Sequence, residues 1–167
     1  MFDTEQKKRN ILMIASFAGF TAVQFIIVYV TGLQKMMYET TEKLPVKLVA
    51  VGTTVLVVEI AFIIVARLRK LDVVLRGYFL YKLVGIAAFV VCLAMRLFGA
   101  ELSDTLVYYL FSVWTVFLRP TARLLQIFVG VSEFFRKALL LSVITYAAGA
   151  AYLGIKKQQK FEDEHLK

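Results

Sequence analysis

The sequence predicts an all-helical integral membrane bundle of four to six transmembrane helices, and three observations carry that reading. Of 167 residues, 60% are hydrophobic and the mean hydropathy is +0.74, whereas a soluble domain holds about 45–50% apolar residues. The apolar residues gather in runs near the length of about 20 that crosses a bilayer as a helix. The basic residues behind the net charge of +8 stand at the ends of these runs, where loop charges face an anionic leaflet. One membrane domain, residues 1–167, accounts for the whole length.

The first span, residues 11–30, follows Lys7, Lys8 and Arg9. It is longer than the apolar core of a signal peptide, and no small-x-small site follows it, so it reads as a retained span. A polar connection, residues 31–47, contains Pro45 and precedes the second span, residues 48–66 (LVAVGTTVLVVEIAFIIVA). Residues 67–76 (RLRKLDVVLR) are basic and too few for anything but a tight interfacial turn into the third span, residues 77–95. The last span, residues 138–155, begins after Arg136 and Lys137 and stops at Lys156 and Lys157.

Residues 102–118 (LSDTLVYYLFSVWTVFL) are apolar but barely long enough to cross, and Arg119-Pro120 then breaks the helix. In residues 121–137, Arg123, Gln126, Gly130, Glu133 and Lys137 recur at spacings of three and four, the pattern of an amphipathic helix. Its expected place is the membrane interface; the alternative packs its polar stripe inward. The lengths favour five spans plus this interfacial helix. Lysine and arginine placement puts the N-terminus in the cytoplasm, with Lys7, Lys8, Arg9, Arg67, Arg69, Lys70 and Arg76 on that side. Five spans then leave the tail, with its four lysines, outside and against the same rule. A hairpin or a double crossing at residues 102–135 gives four or six spans and a cytoplasmic tail. A hairpin dipping halfway buries Arg119 and Arg123, which is costly.

Glu59 interrupts the second span, at a cost of about 2.5–3.5 kcal/mol on insertion scales. It lies eight residues before Arg67, and Lys82 lies six residues after Arg76. At a rise of about 1.5 Å per residue the depths are about 12 and 9 Å. The two spans are antiparallel neighbours, so the leading expectation is an intramembrane Glu59–Lys82 pair that sets their register. Two alternatives stand beside it: Lys82 snorkelling to the surface unaided, and a proton or cation path through Gln24, Glu59 and Lys82. Gln24 is expected to bond across helices. Ala15 with Gly19, Ala147 with Ala151, and Ala150 with Gly154 have small-xxx-small spacing and are expected to pack helices inside the bundle, homodimerisation being the alternative. Tyr108, Tyr109, Trp114 and Tyr152 read as interfacial aromatics.

The chain carries no phosphate loop, metal-binding His-Glu helix or nucleophile elbow, so no catalytic residue is assigned and a non-enzymatic protein is expected. Glu101 and Asp104 read as solvated loop carboxylates. Cys92 is the lone cysteine and His165 the lone histidine, which predicts neither disulfide nor metal site nor cofactor. The basic residues lack the aromatic interleaving of a nucleic-acid surface. The expected partners are the lipid bilayer and other membrane proteins or further copies of the chain.

Gly52-Thr53-Thr54-Val55-Leu56-Val57-Val58-Glu59, then Arg76-Gly77-Tyr78-Phe79-Leu80-Tyr81 and Gly85, with the closing string ITYAAGAAYLGIKKQQKFEDE, resemble the small Golgi tetraspan proteins of the COPI-associated and Tvp type. More distantly, they resemble the Flower channel-like proteins. The resemblance covers residues 47–92 and the end of the chain; residues 102–135 have no counterpart in a four-span member. It implies a Golgi or endosomal membrane protein with both termini in the cytosol and a role in vesicle traffic. The function expected first is a non-enzymatic trafficking or membrane-organisation factor of endomembranes that acts through partner binding. Reading Glu59 as an ion path gives the alternative function, a channel or transporter. A third reading is an accessory subunit of a larger membrane complex.

Overall fold

Four runs of apolar residues become four long helices because no proline interrupts them, and hydroxyls inside them such as Thr21 and Thr145 bond back to their own helix. The computed structural model describes residues 2–33, 46–102 and 105–165. The long helices are α1 (Phe2–Val30), α2 (Val46–Leu68), α3 (Asp72–Leu97) and α6 (Glu133–His165); the short ones are α4 (Leu106–Thr115) and α5 (Arg119–Leu124). No strand occurs among the described residues. Each long helix is long and apolar enough to cross a membrane. Large apolar side chains, Ile14, Ile26, Val57, Val90 and Leu153 among them, stand exposed on their outer faces. In a helix apolar all round, such a face suits lipid. Most of the connection at residues 31–47, with Lys35, Lys43 and Pro45, lies outside the described residues, as does Asp104.

The turn from α2 to α3 is as short as the sequence requires. Leu71 N–H donates to the Ala66 carbonyl at 2.9 Å and Lys70 N–H to the Arg67 carbonyl at 3.2 Å. This is the Schellman closure, with Lys70 in the left-handed position at φ 53°. The two helices therefore run antiparallel. Arg9 pairs with Asp72 near the start of α3, and Gln24 meets Tyr81 further along, so α1 runs parallel to α3. Lys156 lies 3.2 Å from Asp72 while Phe134 packs against Phe89 with ring centres 5.1 Å apart, so α6 runs antiparallel to α3. The start of α1, the α2–α3 turn and the C-terminal part of α6 consequently share one end of the bundle.

Residues 98–132 thus leave and re-enter at the opposite end, along the hairpin alternative, and depart from the leading readings of a crossing helix and an amphipathic helix. Residues 102–118 do not form one straight helix along the bundle. The Thr105 hydroxyl caps α4 by accepting from Tyr108 N–H at 3.2 Å. α4 then descends until Trp114 lies against Gly85 and Tyr81, midway along α3. A 3-10 turn at Val116–Leu118 reverses the chain, and α5 climbs back with Pro120 in its first turn. Residues 111–120 are all buried. Residues 121–137 are not one amphipathic helix either: α5 ends at Leu124, a 3-10 turn covers Leu125–Ile127, and α6 starts only at Glu133. The physical reason is Arg136, which reaches back to the carbonyls of Val129 and Val131 and to Gln126 and holds the break in place.

Gly52 lets the reversal fit against α2. A Cβ there would meet the Phe117 carbonyl oxygen at 2.8 Å and the Pro120 ring at 3.0 Å. Gly52→Val should therefore cost about 1–3 kcal/mol, the usual range for overpacking, and lower the unfolding temperature in mild detergent. Gly19→Ala, whose new methyl would meet nothing within 4 Å, should leave that temperature nearly unchanged.

Candidate functional site: a paired carboxylate beneath a lateral groove

α3 supplies the centre of the site. Lys82 is 2% exposed, and its ammonium forms an ion pair with Glu59 of α2. The same ammonium lies 5.0 Å from the Tyr81 ring centre and 5.4 Å from that of Tyr78, so two aromatic faces share its charge. Lys82 is turned to its neighbour and does not snorkel. The two charges meet because the short α2–α3 turn leaves them at similar depth.

A second, neutral layer ties α1 and α4 to the same point. Tyr81 donates its hydroxyl to Gln24 Oε1 at 2.8 Å, and Gln24 Nε2 donates to the Val113 carbonyl at 2.6 Å. Val113 lies in the last turn of α4, where helix termini leave carbonyls in need of donors. Trp114 Nε1 donates to the Tyr81 carbonyl at 2.8 Å. Gly85 makes that approach possible, since a Cβ there would meet Trp114 and Leu141 at 2.9 Å. Trp114 is therefore a core residue, 4% exposed, and not an interfacial aromatic. Residue type alone misassigned it; the glycine three residues after Lys82 was the available signal.

Above this floor, α1 and α2 rest on α3 and meet through Phe20 and Phe62, whose rings lie 5.1 Å apart. The gap between them is a groove of about 330 Å³, lined by Val23, Ile27, Val55 and Val58, with Gln24, Glu59 and Thr54 among its polar residues. Its lining is almost wholly apolar. The size and the sparse polar groups are those of a small-molecule pocket.

Near the opposite end of the bundle lies a second charge cluster. Glu133 receives Arg119 Nε at 2.9 Å, Arg123 Nε at 3.5 Å and Lys137 Nζ at 3.7 Å. The burial of Arg119 that makes a hairpin costly is offset here by a carboxylate from α6. Of the polar stripe of residues 121–137, Arg123, Glu133 and Lys137 thus meet in one ion cluster, while Gln126 and Gly130 stay exposed.

The small-residue pairs divide. Ala151 is buried and Gly154 packs beneath the Arg67 guanidinium, whereas Ala15, Gly19, Ala147 and Ala150 are exposed on the outer surface. Spacing showed that small residues shared a face but not which face turned inward. Thr21 bonds back to the Phe17 carbonyl at 2.9 Å, a local contact of its own helix. Cys92 is buried with Ala88, Phe111 and Ala138.

Comparison with known protein families, with curated proteins and with solved structures gives no match. The chemistry of the site is therefore read from its own geometry.

Removing one partner of a buried ion pair leaves an uncompensated charge, at about 3–5 kcal/mol. Lys82→Met alone should lower the unfolding temperature in detergent by the corresponding amount, and Lys82→Met with Glu59→Leu should recover most of the loss. A single variant as stable as the wild type would remove the pair from the list of structural determinants. Gln24→Leu, which breaks two interhelical bonds, should cost about 1 kcal/mol by the same measurement.

Proposed function

We propose that the protein is a four-span membrane protein with both termini in the cytoplasm, working without catalysis as a membrane-organisation or trafficking factor through the partners it binds. The observation that carries this reading is the pairing of Glu59 with Lys82 inside the bundle. A carboxylate neutralised by a lysine between two tyrosine rings holds helices in register and is poorly placed to relay a cation. The even span count is supported by the antiparallel run of α3 and α6 and by the return of α4 and α5 to the end they left. With four spans, the lysines of the C-terminal tail fall on the side that the positive-inside rule assigns to them. The endomembrane location comes from the resemblance of residues 47–92 and the closing string to the Golgi tetraspan proteins.

One observation favours the conductor as a second reading: Glu59 lines the groove between α1 and α2 while it pairs with Lys82. Reconstitution into liposomes separates the two. The binding reading expects cation or proton flux no greater than in protein-free vesicles, and flux abolished by Glu59→Gln would replace it with the conductor. Topology has its own test, aided by the burial of Cys92. Lys8→Cys and Lys157→Cys should react with a membrane-impermeant maleimide from one side of the membrane, and Phe98→Cys from the other. Labelling of position 157 from the same side as position 98 would require an odd span count.

A further inference from the structure

Three apolar runs end in a basic residue: Arg9 stands two positions before Ile11, Arg76 immediately before Gly77, and Lys156 immediately after Ile155. The fold gathers these ends around one cleft. α1 and α6 both pack on α3 and leave between them a polar space of about 150 Å³, into which Arg9, Arg76 and Lys156 project together with Gln6, Asn10 and Asp72. Asp72 binds Arg9 and Lys156 through the same oxygen, Oδ2. Arg76 makes no ion pair among the described residues. Three cations and one carboxylate leave the cleft with two net positive charges.

We propose that this cleft binds the phosphate-bearing headgroup of an anionic phospholipid. Its depth is that of the headgroup layer, because it opens where three apolar runs stop. Arg76 presents an uncommitted guanidinium, whose planar fork matches two phosphate oxygens at once. Asp72 fixes Arg9 and Lys156 at the rim, so their charges add to the site without their long side chains having to be ordered by the lipid. Gln6 and Asn10, one turn apart on α1, offer amide donors to the remaining phosphate or ester oxygens. Tyr152 and Met13 line the cleft as well, so its wall includes aromatic and apolar surface for the glycerol backbone and the first methylenes. The same charge on an open surface would attract anionic lipid diffusely. Here it converges on a shaped space. The site is independent of whether Glu59 serves packing or conduction.

Native mass spectrometry of the full chain in mild detergent, with phosphatidylserine or phosphatidylcholine added, tests the proposal. The wild type should retain one phosphatidylserine in preference to phosphatidylcholine. Arg76→Gln should weaken that retention about tenfold, the effect of losing one charge-assisted hydrogen bond. Its unfolding temperature without lipid should match the wild type, because Arg76 is exposed. Lys8→Gln, at the same end of the bundle but outside the cleft, should retain the lipid. Equal loss in the two variants would mean diffuse attraction and would overturn the proposal, as would absence of any preference between the lipids. Displacement of phosphatidylserine by excess inorganic phosphate would assign the cleft to a soluble anion and overturn the lipid reading. Retention in the presence of phosphate supports it.

Discussion

A backbone that leaves helical geometry among apolar helices must find its hydrogen-bond partners inside the protein, because lipid offers none. The segment from α4 to the start of α6 meets that constraint step by step. Its reversal at Val116–Leu118 is buried, the Val113 carbonyl receives the Gln24 amide, and Arg136 closes the more exposed break before α6 onto the carbonyls of that break. The segment does not face lipid at its reversal; α2, through Gly52, comes within contact distance of the backbone there. Without those partners, a sequence of this polarity could not turn around in the middle of the bundle.

The charged groups obey the same rule. Arg119 enters the interior because Glu133 waits on α6, and Lys82 because Glu59 waits on α2. Each pair joins different helices, so each is satisfied in one register and unsatisfied in others. Apolar contacts among leucines and valines are tolerant of sliding, whereas an ion pair flanked by Tyr78 and Tyr81 is not. α3 carries the centre of this system. It holds the Lys82 ammonium, the Tyr81 hydroxyl and carbonyl, and the Asp72 carboxylate, which together reach α1, α2, α4 and α6.

Charge at the bundle's end and charge in its interior differ in what they leave available. Inside, Glu59 and Glu133 each meet cations at short range. At the end shared by α1, α3 and α6, one carboxylate stands against three cations, in a cleft at the depth where lipid phosphates lie. The interior pairs serve the fold first. The terminal cleft retains charge for something outside the chain.

Much of this architecture is determined by the sequence alone. Long apolar runs bounded by basic residues are sufficient to specify four long helices, since length and hydropathy act locally. The meeting of Glu59 and Lys82 was legible for a related reason: a short basic connection leaves neighbouring helices little freedom, so counting residues measures depth. Residues 102–137 were not legible. Whether a marginally long apolar segment crosses or turns back depends on whether Gly52, Gly85 and Glu133, all distant in sequence, can receive it. The facing of Ala15, Gly19, Ala147 and Ala150 likewise escaped the pattern, because in a helix apolar on every side no moment distinguishes core from lipid. Only the tertiary structure decided those points, since each is a choice between partners and not a property of the segment itself.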